Sequence, residues 1–379
     1  MFLPAQTAYK QPPPAVTSVV LAPPTPAFST SPSRDAILLV DYNPNPGIAL
    51  LAEPFLRLAG LRIIPKLNCR QNTTEYTAVT VRWLVTDDVI RIQLPEKGRL
   101  AGIPQWSPDG RQIAFGINQS DGVELWVAET WTGKSRRIGS FYLNNVLGPA
   151  FTWLEDSERL LVRMVPPYRG PAPDFTPVPT GPTVDDTTPG KLAQVSTYQD
   201  LLQNPNDERL FEYYAASVLT LVHSSTGKSK QLCPADLYLE ADWSPDEQYL
   251  LVTTLRRPFS YHVPYDDFSR KTEIWDANGR SLRTLVERPV TDDTPRQGVE
   301  TGPRWFQWQA LYPARLLWVE ALDGGDPRNK ADFRDKLLAL EAPFNGNPGE
   351  ITKIKHRFSG LQWTADKDIA LLREYDRDR

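Results

Sequence analysis

The chain has 379 residues, 40% of them hydrophobic and 23% charged, with a net charge of −4. That supplies a large core, and the slightly acidic balance excludes the basic face that a nucleic-acid backbone demands. No apolar run reaches the roughly 20 residues needed to span a bilayer, so neither nucleic acid nor membrane is expected as a partner. The start, Met1 to Tyr9, lacks a basic stretch followed by a long apolar one, so no secretory signal is expected. The only two cysteines, Cys69 and Cys233, are far apart and show no CxxC spacing. They read as free thiols of a reducing compartment, which points to the cytoplasm.

In chain order, residues 1–27 read as an N-terminal arm. The arm holds Pro12-Pro13-Pro14, Pro23-Pro24 and Pro26, part of a total of 36 prolines. Proline has no N–H for a ladder and a fixed φ, so such stretches are loops or arms rather than strand interiors. Ser31-Pro32-Ser33-Arg34-Asp35 is the first of a series of turns. Its fullest form is Trp106-Ser107-Pro108-Asp109-Gly110 followed by the apolar run to Phe115, and it returns at Trp243-Ser244-Pro245-Asp246-Glu247 before Tyr249 to Val252. Weaker echoes lie at Trp153-Leu154-Glu155-Asp156-Ser157, Trp308-Gln309-Ala310 and Trp363-Thr364-Ala365-Asp366. Proline presets φ, aspartate bonds its own backbone and glycine accepts positive φ, so each phrase is a turn leading into a strand.

After the second turn, Gln112 to Ile117 reads as a strand, Asn118 to Gly122 as a hairpin loop, and Glu124 to Ala128 as its partner. Thr132-Gly133-Lys134 turns the chain into Ser135 to Ile138, where Arg136 and Arg137 suit a charged sheet edge. The same order recurs as Tyr249–Thr254, Lys271–Asp276 and Leu282–Leu285, then as Arg315–Glu320 and Lys336–Leu340. Near the end, Trp363 is expected to open a strand, Asp368 to Leu372, with no partner after it. Three or four antiparallel strands in about 40 residues, repeated, are the pattern of a propeller blade. The expected fold is therefore all-β: a β-propeller of six or seven blades, 1–379, with the last blade incomplete. One segment breaks the pattern. Residues 166–216 form a proline-rich insertion whose second half, Thr197–Leu202 and Asp207–Tyr214, is expected to hold one or two short helices broken at Pro205.

Residues with catalytic potential are sparse. His223, His262 and His356 have no local signature of a nucleophile–base pair. There is no HExxH and no cysteine cluster, and no metal or other cofactor is expected. Asp185-Asp186, Asp266-Asp267 and Asp292-Asp293 are adjacent loop carboxylates, read as solvated. Asp323-Gly324-Gly325-Asp326 lacks the alternating ligands of a calcium loop and reads as a turn.

The repeated phrase, with Glu124 to Ala128 and Gly133 to Ile138, resembles the propellers of prolyl oligopeptidase (S9) family serine peptidases and of TolB-type proteins. Longer words, Leu56 to Ile63, Thr197 to Leu202, Asp207 to Ala215, Arg257 to Tyr261 and Trp318 to Asp326, resemble the N-terminal half of the glutamyl endopeptidase branch. The likeness runs from about Tyr9 to Arg379. It implies a propeller that caps an α/β-hydrolase carrying a Ser–Asp–His triad, restricts entry to small or unfolded peptides, and serves cleavage after glutamate. The chain departs from that family in having no GxSxG, the motif that sets the serine on a strand-to-helix turn. The expected role is thus a non-catalytic propeller half, inactive alone, whose partners are a separately encoded or missing hydrolase and a peptide substrate. The alternatives are a stand-alone propeller that holds a peptide or protein, and a truncated gene product. For reading a substrate glutamate, Arg169 and Arg257 are the candidates, since a guanidinium fork bonds a carboxylate at two points. Their plain alternative is an ordinary surface or inter-blade role.

Overall fold

In a computed structural model, which describes residues 12–174, 197–291 and 298–376, the repeated turn folds alike at its copies. Ser107 donates from Oγ to Asp109 (2.6 Å) while its oxygen accepts the Gln112 N–H (3.0 Å). Ser244 repeats both bonds with Asp246 (2.6 Å) and Tyr249 (3.0 Å). Ser31 does the equivalent with Asp35 and Ala36. The turn needs one residue at positive φ, supplied by Gly110 (+71°) in one copy and by Glu247 (+55°) in the other.

Each turn joins the first two strands of an antiparallel sheet. The first sheet holds Ala27–Thr30, Ala36–Asn43, Glu75–Trp83 and Val89–Arg91. In the second, Arg99–Leu100 and Gln105–Trp106 share one side of Gln112–Asn118, followed by Val123–Glu129 and the edge strand Ser135–Arg137. The third runs Phe151–Trp153, Arg159–Met164, Ser217–His223, Ser229–Asp236. The fourth runs Tyr238–Trp243, Tyr249–Leu255, Arg270–Asp276, Ser281–Arg288. The fifth runs Arg304–Trp308, Arg315–Ala321, Asp335–Glu341, Gly349–Ile354. The sixth has two strands among the described residues, Arg357–Trp363 and Ala370–Tyr375. Trp363 therefore closes a strand instead of opening one; the strand that follows pairs back with it, Trp363 opposite Ala370, and no later strand pairs with it among the described residues. The same holds for Trp106, Trp153, Trp243 and Trp308, each the last residue of the strand before its turn.

The core lies between sheets. Leu316 and Trp318 pack toward the fourth sheet with Leu251 and Ile274, while Leu317 and Val319 pack toward the sixth with Phe358 and Leu361. Side chains alternate faces along a strand, so a strand covered on both faces must read as a continuous apolar run. The repeated tryptophan has a second task. Three of the indoles reach back to the first strand of the preceding sheet: Trp106 Nε1–H donates to Ser29 (3.1 Å), Trp153 to the Gln105 carbonyl (3.2 Å), and Trp308 to the Asp242 carbonyl (3.1 Å). Replacing Trp308 by phenylalanine keeps most of the packing and removes that bond. The expected cost is about 0.5–1.5 kcal/mol in urea unfolding; an unchanged midpoint would show that the bond contributes nothing net.

Helices are few. Helix α1 (Pro14–Val20) lies in the N-terminal arm, α2 (Ile48–Leu51) follows the second strand, and α3 (Pro205–Ala215) lies in the long insertion. Pro205 does not break a helix. It occupies the first turn of α3, where the missing N–H is no loss, and Asn204 caps the helix through the N–H groups of Asn206 and Asp207. Residues 197–202 are not helical.

Candidate functional site

The connections between second and third strands differ widely in length. In the second sheet the connection is the short hairpin 119–122, but in the first, third and fourth it is residues 44–74, 165–216 and 256–269. Antiparallel order places all of these at the same end of their sheets as the links between sheets. There the three insertions share one core. The first contributes a small sheet, Leu56–Leu58, Leu61–Ile64 and Cys69–Arg70. Leu58 and Ile63 from it pack with Phe211 and Tyr214 of α3 and with Phe259 and Phe268 of the third insertion. The Phe211 ring meets Phe259 and Phe268 edge-on, at 5.4 and 5.8 Å between centroids. These insertions form a cap on that end.

Polar contacts lock the cap to the sheets. The last carbonyls of a helix lack intrahelical partners, and here the side-chain amides of Asn68 and Asn144 both donate to the Tyr214 carbonyl (2.9 Å each), Asn144 also to that of Ala216 (2.7 Å). Gly60 N–H donates to Asp200 O (2.8 Å) and Tyr265 N–H to Ala59 O (2.9 Å). Gly60 has φ +81°, and a Cβ there would lie 2.6 Å from the Pro264 Cβ, so only glycine permits this approach.

Both candidate arginines meet α3. Arg169 donates to the Tyr213 carbonyl (3.1 Å) and to Asn68, and its guanidinium lies 4.2 Å from the Tyr213 ring centroid. Burial pulls its pKa below the ordinary arginine value. Arg257 grips Glu212 with two bonds (2.8 and 2.9 Å) and also bonds Glu208, which accepts from Tyr261 as well (2.8 Å). The hydrogen bonds to Glu212 and Glu208 raise its pKa further. Each fork is thus engaged by the cap helix. The contacts came from the fold and had no signal in the local sequence, because Glu208 and Glu212 lie 45 or more positions away.

An open cleft of about 570 Å³ lies where the insertions meet, lined by Arg62, Arg70, Tyr198, Asp200, Pro264 and Tyr265 among others. Arg62 is paired with Asp200 (2.8 Å). Arg70 donates to the Val146 carbonyl (2.6 Å) and the Tyr265 hydroxyl (2.8 Å). Arg62 and Arg70 were invisible as site residues in the sequence, since a strand-borne arginine has no motif. The cleft presents charges of both signs beside two phenol rings, which suits a polar, extended ligand such as a peptide.

Other candidates resolve differently. His223 Nδ1 meets Ser225 Oγ (3.0 Å) and its Nε2 lies 3.7 Å from Glu158, but these groups sit on an exposed turn where water competes for every bond. Asp323 begins a turn in which its carboxylate accepts the Gly325 N–H (3.0 Å) and pairs with Arg334 and Arg357 (2.8 and 2.6 Å), so arginines occupy the oxygens a cation would take. Among the described residues no group of three or more His, Cys, Asp or Glu is placed to hold a metal. Asp266 and Asp267 form a short 3-10 turn, whereas Asp185-Asp186 and Asp292-Asp293 lie outside the described residues. Cys69 and Cys233 are buried free thiols, and burial pushes both up to about 12. Among the described residues no helix is long and apolar enough to cross a membrane.

Successive antiparallel meanders packed face to face in chain order define a β-propeller, here with a cap on one end. Along nearly its whole length the chain is homologous to glutamyl endopeptidases. It is 35% identical over 388 aligned positions to the probable chloroplastic glutamyl endopeptidase of Oryza sativa subsp. japonica (98% of this chain, 41% of that protein). It is 37% identical over 389 positions to that of Arabidopsis thaliana (97% and 40%). The chain therefore spans about two fifths of the length of the curated relatives it matches. No family model matches it. Among solved structures it is similar to the β-propeller domain of the Trilobed protease from Pyrococcus furiosus (13% identity, TM-score 0.42, 87% of this chain and 71% of that one). It is also similar to an acylaminoacyl peptidase (15%, TM-score 0.46, 89% and 41%). At such values the fold assignment rests on the sheet topology itself.

Proposed function

We propose that this chain is the non-catalytic propeller half of a glutamyl-endopeptidase-like serine peptidase, which gates peptide entry and docks an α/β-hydrolase domain. The observation that carries this reading is the homology itself, 98% of this chain against 41% of a named endopeptidase, in a chain without a GxSxG. The cap supports the gating part. A packed layer over one end of the sheets would admit a thin, unfolded peptide and refuse a folded protein. In this reading the hydrolase supplies the nucleophile, and this chain acts in the cytoplasm on peptides that its partner cleaves.

Arg169 and Arg257 remain the proposed contacts for a substrate carboxylate. Arg257 could serve only by exchanging Glu212 or Glu208 for the incoming group, an exchange of like for like that its half-exposed position permits. The test is peptidase activity on glutamate-containing peptides, with the chain alone and mixed with a separately produced hydrolase domain. No cleavage is expected from the chain alone, and cleavage with sharper selectivity in the mixture. If Arg257 reads substrate, Arg257→Ala raises KM with kcat nearly unchanged; if it only holds α3, the variant instead admits longer peptides. A folded chain that changes nothing in the mixture would shift the assignment to a stand-alone binding propeller.

A further inference from the structure

Positive charge is in excess where the fourth, fifth and sixth sheets meet. Arg270 opens the third strand of the fourth sheet, and Arg288, directly opposite it in the ladder, closes the fourth strand. Like charges so placed repel. Arg304 opens the first strand of the fifth sheet and Arg357 that of the sixth. These side chains are 18, 10, 12 and 12% exposed. Their carboxylates are too few. Glu300 serves both Arg270 and Arg288. Asp335 serves both Arg304 and Arg357, and Asp323 serves Arg357 and Arg334. Among the described residues, five guanidinium groups thus share three carboxylates.

The shortfall falls on Arg288 and Arg304. Asp267, Glu240 and Asp266 offset the charge of Arg270 from further away. Arg288 has less relief: burial and the charges of Arg270 and Arg304 pull its pKa down to about 10. Its Nη2 donates to the Pro303 carbonyl (2.6 Å), which holds it against the backbone just before Arg304. At Arg304, Nη2 bonds Asp335 (2.8 Å), while Nη1 is buried and has no partner among the described residues. A buried N–H is normally bonded. Water would satisfy this N–H and leave the charge uncompensated, whereas an anion does both.

We propose that Arg304, through Nη1, and Arg288 beside it hold an anion between the fourth and fifth sheets. A free chloride or acetate and the carboxylate of a bound peptide share the required chemistry, a negative atom that accepts guanidinium N–H bonds.

The test follows thermal unfolding of the intact chain at constant ionic strength while chloride or acetate replaces gluconate, an anion too bulky for a dry seam. A ligand that binds only the folded chain raises the midpoint progressively once its concentration passes Kd. Arg304→Lys keeps a charge beside Asp335 but has no second fork nitrogen, so its apparent affinity should fall about tenfold or more. Arg328→Ala, which alters an exposed pair, should respond as the parent does. Should Arg304→Lys not fold, broadening of the chlorine NMR line by the parent, reversed by acetate and reduced in Arg288→Lys, reads the same site. A blocked tripeptide with a central glutamate, and its glutamine counterpart, separate the two sources. A rise with the glutamate peptide alone, where acetate at equal concentration has no effect, assigns the site to a substrate side chain and rests on the peptidase reading above. Chloride and acetate acting as strongly as the peptide assign it to a free anion and leave that reading untouched. Equal midpoints in gluconate, chloride, acetate and glutamate peptide overturn the proposal. A rise that persists unchanged in Arg304→Lys also overturns it, since the anion then binds elsewhere.

Discussion

Asp335→Ala is expected to destabilise the chain by about 3–5 kcal/mol, the cost of leaving buried charges without their partner. Asp335 has no exposed side-chain surface and lies at the seam between the fifth and sixth sheets. It bonds Arg304 of its own sheet (2.8 Å), and from the sixth sheet Arg357 (2.7 Å) and the Phe358 N–H (2.7 Å). Arg357 extends the network to Asp323. Removing the carboxylate strands Arg304 in a low-dielectric seam, where it keeps its desolvation cost, and leaves Arg357 with Asp323 alone. Urea unfolding of the variant measures the loss. As a control, Asp326→Ala removes a carboxylate that bonds only Arg328, through its exposed guanidinium and its backbone N–H, and should shift the midpoint far less. A small loss for Asp335→Ala would mean that water enters the seam and hydrates the arginines.

The seam also carries a pH dependence. Burial works to raise the Asp323 pKa, but hydrogen bonds from Arg357 and Arg334 outweigh it and hold the group below its ordinary value of 3.8. A depressed folded-state pKa gives stability that is present above the unfolded value and lost as pH falls through the folded one. The chain should therefore weaken on acidification below about pH 4, and Asp323→Asn should flatten that part of the profile while lowering stability at neutral pH.

Phe211→Ala is the second large effect. Phe211 is fully buried between Phe259 and Phe268, so truncation leaves a cavity where three insertions meet. The expected loss is about 3–5 kcal/mol. It should appear first in the cap, because the rings that Phe211 meets, Phe259 and Phe268, belong to the third insertion and not to a sheet strand. Amide exchange of residues 205–215 should accelerate, while the central strands, such as Tyr249–Leu255, keep their protection. Equal acceleration in both would show that cap and blades unfold as one unit, and an unaffected α3 would mean that Asn68, Asn144 and Arg257 hold it without the core. In the proposed peptidase, the same variant should widen the range of peptides admitted.

The chain order of the propeller was determined by the sequence alone. The turn chemistry is local: a serine, an aspartate and one residue at positive φ lie within five positions, and alternation along each strand is set by the backbone. That sufficed for the order of the repeated sheets. Local rules misplaced the tryptophan, whose role depends on the neighbouring sheet that its indole N–H reaches. They also misread Pro205, which opens a helix as readily as it breaks one.

The cap was decided by the tertiary structure. Residues 44–74, 197–216 and 256–269 come together only because each replaces the same connection in a different sheet. Arg163 makes the same point. In sequence it is one charge in an apolar strand, but in the fold it is 4% exposed and donates to the carbonyls of Leu147, Tyr238 and Leu239 at the junction of two sheets. Backbone carbonyls are present at every residue and leave no mark in the sequence, so which of them a buried arginine will serve is fixed only when the sheets pack.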